Sequence, residues 1–540
     1  MVGLTQYLGS KLSLGSSSKA IERYDVIIAG AGISGLAAAR YLCSKGRKVL
    51  VLESRDRIGG RIHSLNFDEA DSSKKVDLGA SFVHGLINNP LTKLSKQVPF
   101  ELHLPPEGEE TMALFEPGAE GKPADAEKSV KLEYQTHNIV FERLHQLAQE
   151  SQDTPSGDAS MLSALQNTKA GTGIYAGLNE EERQAVLNMS VMFSGWTGAD
   201  LDDVSLKWWG FEREFRGPDA VVKSGYSTLT DWHHQAVVEK GGEVKLNQRV
   251  EAVESIDDGS SVQVKASVTG SSSKPQSKLY AAPYFLCSLP LGVMQHSPPA
   301  FQPALPERRR ESIQRLGMGL LNKILISYPE PWWHETAMSP QKPADWIFLK
   351  GSGDGKAGES PEQRLQQCNL FGQNQSVING LPVLCFFLGP PMAFEIEKMD
   401  DATIQSIVHE RLLSTVASPS QRDSVPSPRR IHVTRWSLDP HARGSYSYFP
   451  VAAGGRGGSG PGGDPVDMME VGRPLWSERL GFCGEHTEPN HFASVHGPLL
   501  SGLREARRIE SMLLEREDGR DDWDEMDIEG SEEGYRGLRP

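Results

Sequence analysis

The sequence predicts an α/β plus α+β protein, and three patterns carry that prediction. Between Tyr24 and Glu53 an apolar strand, a glycine-rich turn, a small-residue helix and a second apolar strand make one complete βαβ unit. From Glu243 to Ser267, runs at 243–247, 250–255 and 261–267, turning through Asp257-Asp258-Gly259, read as a meander or hairpin. Helical patterns at 307–315, 401–415 and 497–513 complete the set, the last with Pro498 where a first helical turn tolerates proline.

A chain of 540 residues with 38% hydrophobic content is long enough for two or three cored domains. Cys43, Cys287, Cys368, Cys385 and Cys483 form no CxxC pair and no metal-ligand spacing, so no metal site is expected and reduced thiols are the simpler account. Much of the net charge of -15 sits between Glu515 and Glu533, where eleven acids accompany two arginines. Residues 515–540 are therefore expected to be an acidic disordered tail, and 1–21 a disordered leader. Acidity weighs against direct nucleic-acid binding. No secretory signal, no apolar run of roughly 20 residues and no SKL-type terminus is visible, which points to a cytoplasmic or nuclear protein off the membrane.

In order along the chain, the strand Tyr24–Ala29 leads into Gly30-Ala31-Gly32-Ile33-Ser34-Gly35, and the strand Lys48–Leu52 ends at Glu53. A lone GxGxxG is weak, but this one has a strand before, a helix after and an acid at the end of the next strand. Gly30 suits the tight turn, Gly32 the approach of a pyrophosphate to the helix N-terminus, and Gly35 close helix packing, with Glu53 placed for ribose hydroxyls. The alternative is a glycine-rich turn in an unrelated α/β protein. Segments 105–128 and 351–379, crowded with Gly, Pro, Glu and Gln, read as surface loops. Residues 431–436 and 480–483 read as strands. So does Leu320–Tyr328, LLNKILISY, with Lys323 in its middle; taken alone it suggests an edge strand whose lysine snorkels to water.

After Glu53 come Arg55, Arg57, Gly59, Gly60 and Arg61, an RxGGR element. Here the sequence resembles the flavin-containing amine oxidases: monoamine oxidases, polyamine oxidases and the flavin-dependent lysine-specific histone demethylase. The resemblance extends from about Tyr24 to Leu513. It includes Asp77-Leu78-Gly79-Ala80-Ser81 against the flavin, Val250 holding the adenine through its backbone, Arg435-Trp436 with Arg443–Tyr448 near the ring, and the terminal GEHT (Gly484–Thr487) and VHG (Val495–Gly497) elements. It implies FAD, bound non-covalently because Ser445 stands where some members carry a tethering cysteine. Glu485 is expected to accept from ribityl hydroxyls, and the helix near Gly497 to aim its N-terminus at the flavin.

For the reacting end, the resemblance places Lys323 against flavin N5 through a water. Tyr446 becomes one wall of an aromatic cage whose other wall is Ser494, and His84 stands beside the substrate, although a hydrogen-bonded loop histidine explains it as well. His496 is less promising as a base. Glu212 and Glu214 are tunnel candidates or an exposed charge pair. The implied architecture is a Rossmann-like FAD-binding domain with an interleaved substrate-binding domain, an amine oxidase/glucose-methanol-choline-like two-domain FAD fold. FAD-domain parts are expected at 22–90, 226–299 and 431–514, and substrate-domain parts at 91–225 and 300–430. The expected activity is oxidation of a small-molecule amine with dioxygen reduced to hydrogen peroxide. His84 and the lack of room for an added helical domain or hairpin favour polyamines. Tyr446 with Ser494 favours a methylated lysine, and a non-catalytic FAD-containing interaction protein is the remaining alternative.

Overall fold

The structure is a computed structural model. It describes residues 21–517 except 68–73, 99, 105–111, 153–157, 191, 214, 269–275, 336–343, 351–358 and 453–461, so all but the last residue of the expected leader, nearly all of the acidic tail, and Glu214 lie outside it. Strands buried on both faces should be continuously apolar, and four such runs build, with the partly exposed edge strand Glu243–Lys245, a five-stranded parallel sheet in the order Glu243–Lys245, Val49–Leu52, Val26–Ala29, Tyr284–Cys287, Leu480–Phe482. The helix Ile33–Ser44 links its second and third members and packs against both Ser227–Glu239 and the long C-terminal helix His496–Glu517.

The meander loses its first run to this sheet. At Asn247, φ is 56°, a left-handed turn that asparagine tolerates, and the chain leaves Glu243–Lys245 there to begin Gln248–Ile256 in another sheet. The Asn247 and Gln248 N–H groups donate to the carbonyls of Arg55 and Glu53 at 2.8 and 2.7 Å, which fixes this crossing beside the acid of the βαβ unit. The second sheet is ordered Glu22–Arg23, Ser277–Ala282, Ser261–Val268, Gln248–Ile256, Ala300–Gln302, and its hairpin turns at Asp257–Gly259 as expected.

A third sheet has six strands, ordered Arg430–Val433, Asn322–Ser327, Val383–Leu388, Leu370–Asn374, Asp345–Phe348, Met112–Phe115. Two expectations fail here. The strand of Lys323 is interior, flanked by Val383–Leu388 and Arg430–Val433, and all six of its residues are buried. The segments read as loops contain Met112–Phe115 and Leu370–Asn374, because composition averaged over glycine and glutamine hid short strands. Gly372 is a packing residue: a Cβ there would lie 2.8 Å from the Phe386 ring. The helices at Glu307–Arg315 and Asp401–Thr415 match the expected bounds. Among the described residues no helix is long and apolar enough to cross a membrane.

Register places Lys323 opposite Phe387, Phe387 opposite Phe371, and Phe371 opposite Ile347, so these four share one face. That face meets the parallel-sheet half where the segment after Lys75–Asp77 crosses the RxGGR turn. The approach is tight: a Cβ on Gly79 would stand 1.7 Å from the Arg61 carbonyl oxygen. Gly79→Ala is therefore expected to cost about 2–3 kcal/mol in chemical denaturation, since backbone rather than a side chain must yield. A loss within 0.5 kcal/mol, about what a neutral surface change gives, would contradict that packing.

Candidate active site

A cavity of about 1300 Å³ runs between the parallel sheet and the six-stranded sheet. Gly32 caps the N-terminus of Ile33–Ser44 at its edge, and a Cβ there would meet nothing within 4 Å, so the helix end opens onto free space. Gly35 has the packing part, since its Cβ would fall 2.1 Å from the Gly30 carbonyl oxygen. Among the cofactor and catalytic residues expected from the sequence, Gly35 is the one that does not line this cavity. Gly30, Gly32, Glu53, Arg55, Gly60, Arg61, Gly79, Ala80, Ser81, Val250, Trp436, Glu485 and Val495 all do, together with Lys323, Tyr446, His84 and Ser494.

The carboxylates work within the protein. Glu53 Oε2 accepts from the Ala31 N–H at 2.7 Å and Oε1 from the Arg55 N–H at 2.9 Å, so it clamps the glycine turn to the arginine turn. Glu485 accepts from Arg61 Nη1 at 2.8 Å and from the Ser447 hydroxyl at 2.6 Å. Burial opposes its ionisation, yet Arg61, His486 and the Ser447 bond together hold its carboxyl below the usual range. Glu485 thus orients Arg61, whose Nη1 also reaches the Ser445 carbonyl at 2.7 Å. Val250 sits at a bulge: pairing with Ala300–Gln302 begins only at Ala252, which leaves that edge of Val250 outside the ladder.

Lys323 is 2% exposed. Its ammonium donates to the carbonyls of Asp77 and Gly79 at 2.9 and 2.7 Å and to Ser81 Oγ at 3.1 Å, and it lies 4.7 Å from the Phe387 ring centroid. Burial lowers its pKa, opposed by Cys385 and Asp77, while burial raises Asp77 to about 6. Three acceptors account for all three ammonium protons. Tyr446 donates its hydroxyl to the Gly195 carbonyl, which fixes the ring as a wall. Ser494 Oγ donates to the His491 carbonyl at 2.7 Å and accepts the Gly497 N–H at 3.2 Å, so it shapes the turn into the last helix. His496 is buried near His491 and His84, and burial first, then those neighbours, keeps it neutral.

His84 and Glu212 reach the cavity. Sequence reading missed Phe387, Asp219 and the carboxyl of Asp345, which burial and Glu133 push up to about 7 while Gln373 opposes. Phe387 is placed by strand register and Asp219 by a loop contact, neither of which leaves a local signal. Ser288, whose hydroxyl donates to the Ala29 carbonyl at 2.7 Å below the glycine turn, had one: it follows an apolar strand directly.

An open helix N-terminus at the end of a parallel strand, beside an acid on the next strand, defines a dinucleotide-binding protein, and the buried cation on the facing sheet suits an oxidoreductase. The family model described as flavin containing amine oxidoreductase matches residues 33–510, and the chain belongs to that family. Its cofactor is FAD. The residues fit that group: the cavity exceeds the usual 300–1,000 Å³ range, Gly32 leaves room for a pyrophosphate, and Gln248 Oε1 is buried at the lining without a protein partner. The chain is 29% identical over 517 residues to "Lysine-specific histone demethylase 1 homolog 1" of Oryza sativa subsp. japonica, covering 93% of this chain and 54% of that one. It is 30% identical to homolog 2 of the same rice over 90% of this chain and 56% of that one. It is 28% identical to "Polyamine oxidase 4" of that rice, over 91% and 89% respectively. The chain thus spans about half the length of the demethylase-named curated relatives.

Two buried histidines give the fold a pH signature. Burial and Arg40 push His233 down to about 3, and burial, opposed by Glu485, pushes His486 down to about 4. An unfolded histidine titrates near 6.5, so between 6.5 and these values the unfolded chain binds more protons and stability falls as pH falls. Asp77 and Asp345 act in the opposite sense, since their folded pKa values are raised. The test is therefore differential: between pH 7.5 and 5, wild type should lose on the order of 2 kcal/mol relative to His233→Leu, and parallel urea curves would contradict it.

Proposed function

We propose that this protein is an FAD-dependent amine oxidase acting on polyamines, giving an imine that hydrolyses to an aldehyde and a shorter amine, with dioxygen reduced to hydrogen peroxide. The observation that carries the reading is the fixed Lys323 ammonium on the floor of the cavity that the glycine turn opens onto. When bound, FAD supplies a two-electron acceptor for the hydride of an amine α-carbon and passes the electrons to dioxygen.

The chain's own groups set the conditions. A cation held by three acceptors cannot swing away, and it discourages a second cation beside it, so an amine reaches this end neutral and able to lose hydride. The same charge favours negative charge developing on dioxygen. Tyr446 offers a flat wall to the amine, and Ser494 opposite leaves space that an aromatic would fill. Ser445 exchanges hydrogen bonds with the Leu321 backbone at 2.9 and 3.0 Å and offers no thiol, which supports non-covalent FAD. An elongated, repeatedly cationic substrate suits a cavity whose wider lining includes Glu133, Glu212, Asp219 and Asp345.

The proposed architecture is a Rossmann-like FAD domain with an interleaved substrate domain, and the proposed compartment is cytoplasm or nucleus. A second reading, oxidation of a methylated lysine, is favoured by the small Ser494 and by the demethylase-named relatives. Anaerobic mixing of the yellow protein with spermine, spermidine, N-acetylated polyamines, benzylamine and a methylated lysine peptide separates these. Polyamines are expected to bleach the flavin, with hydrogen peroxide appearing on admission of air. Bleaching by the peptide alone selects the second reading, and bleaching by none contradicts amine oxidation for this panel.

A further inference from the structure

Acids elsewhere in this fold are answered from within it. Glu485 has Arg61 and Ser447, Asp467 has Arg315 and the Ser312 hydroxyl, and Asp219 brackets another loop, accepting the Gly85 N–H at 2.9 Å and pairing with His84 at 2.7 Å. Asp345 has no such answer. Among the described residues its carboxyl has one hydrogen bond, from the Gln373 amide at 3.3 Å, and no ion pair. Its charged neighbour is another acid, Glu133, whose own ionisation burial opposes. Burial, eased by Gln373 and reinforced by Glu133, holds the Asp345 carboxyl at about 7. Asp345 and Glu133 nevertheless both line the cavity. A buried carboxylate without a cation is costly, and one that faces a cavity can take its cation from a ligand.

Strand register fixes where this carboxyl stands relative to the Lys323 ammonium. Asp345 lies two residues before Ile347, and so on the same face of the six-stranded sheet as Phe371, Phe387 and Lys323. At about 4.8 Å per strand step and about 3.4 Å per residue, three steps across and two residues along separate the Lys323 and Asp345 Cα atoms by about 16 Å. The face between them is apolar, with the Phe371 and Phe387 rings 5.3 Å apart and Ile347 beyond. All five residues line the cavity. An extended chain advances about 1.25 Å per bond, so spermine, with thirteen bonds between its end nitrogens, reaches about 16 Å, and spermidine, with nine, about 11 Å. A floor that runs from a fixed cation over apolar side chains to an unanswered carboxyl matches the longer amine.

We propose that Asp345 is a specificity-determining residue that takes the far ammonium of an amine as long as spermine, laid over Phe387, Phe371 and Ile347 from the Lys323 end. This rests on the amine oxidase reading and adds to it a selection for length. The ligand supplies the cation that the fold withholds, and the charge of Glu133 adds to the attraction. Shorter amines held at the Lys323 end leave the carboxyl unpaired. Binding is tested first, on the reduced FAD-loaded protein, which cannot turn over. It is titrated calorimetrically at about pH 8, where Asp345 is ionised, with saturated α,ω-diamines of putrescine, spermidine and spermine length. Affinity is expected to step up about 10-fold or more at spermine length, the worth of one hydrogen bond between charged groups. A monoamine of that length should show no step, and Asp345→Asn should remove it while leaving the shorter diamines unchanged. No step in wild type, or a step retained in Asp345→Asn, would overturn the assignment.

Two further readouts separate this part from a structural one. The raised pKa makes the ionised carboxyl unfavourable to the fold above about pH 7, so Asp345→Asn should melt at or above the wild-type temperature at about pH 8. A lower melting temperature would make the carboxylate part of the fold and overturn the proposal. In turnover, Asp345→Asn should raise the KM for spermine about 10-fold or more, leave that for spermidine unchanged, and keep the limiting rate of flavin reduction within about two-fold. Equal losses for both amines, or a fall in the limiting rate with unchanged KM, would overturn it as well. If no polyamine reduces the wild-type flavin, the polyamine reading falls by itself, and the diamine titration still decides the part given to Asp345.

Discussion

A lysine in the interior strand of a sheet must find acceptors, because an unpaired buried cation costs several kcal/mol. Lys323 finds all three on one short segment, the carbonyls of Asp77 and Gly79 and the hydroxyl of Ser81. That requirement ties the six-stranded sheet to the turn facing the cofactor cleft. The same segment is pressed against the Arg61 carbonyl through Gly79. The relative placement of the sheet floor and the glycine turn therefore follows from one charge and one missing side chain.

Around that tie, the acids of the cleft act as struts. Glu53 and Glu485 each accept from groups of the arginine turn, and their hydrogen bonds hold the glycine turn and the Arg61 guanidinium at the edge of the cavity. Their burial makes those bonds stronger than they would be in water. The result is a site organised before any ligand arrives, which is where a preorganised electrostatic environment gains its effect.

How much of this could be read from the chain depends on the range of the interaction. The βαβ unit is local, so Gly30, Gly32, Gly35 and Glu53 were legible from spacing, and the helices Glu307–Arg315 and Asp401–Thr415 were placed to the residue. Lys323 was visible as an anomaly, but its stretch taken alone suggests an edge, since neighbours in a sheet come from distant sequence. Glycine misled in one direction at Gly372, where it marks packing under Phe386, and the expected loop was a strand. Asp219 left no trace at all, because a loop residue that brackets another loop is specified by neither periodicity nor motif. The partners of the Glu485 carboxylate also needed coordinates: sequence showed an acid at a strand end, and only the geometry showed Arg61 and Ser447 donating to it.

The Lys323 ammonium holds the Asp77–Ser81 segment, and in the proposed amine oxidation the same charge acts on the reaction at the cavity floor. Lys323→Met, of similar length and without charge, tests it in one experiment when the FAD-loaded variant is reduced and mixed with dissolved oxygen in a rapid-mixing instrument. Reoxidation slower by about 10²-fold is expected, with FAD lost more readily on dilution because three acceptors are left unpaired. Reoxidation at the wild-type rate with FAD fully retained would contradict it.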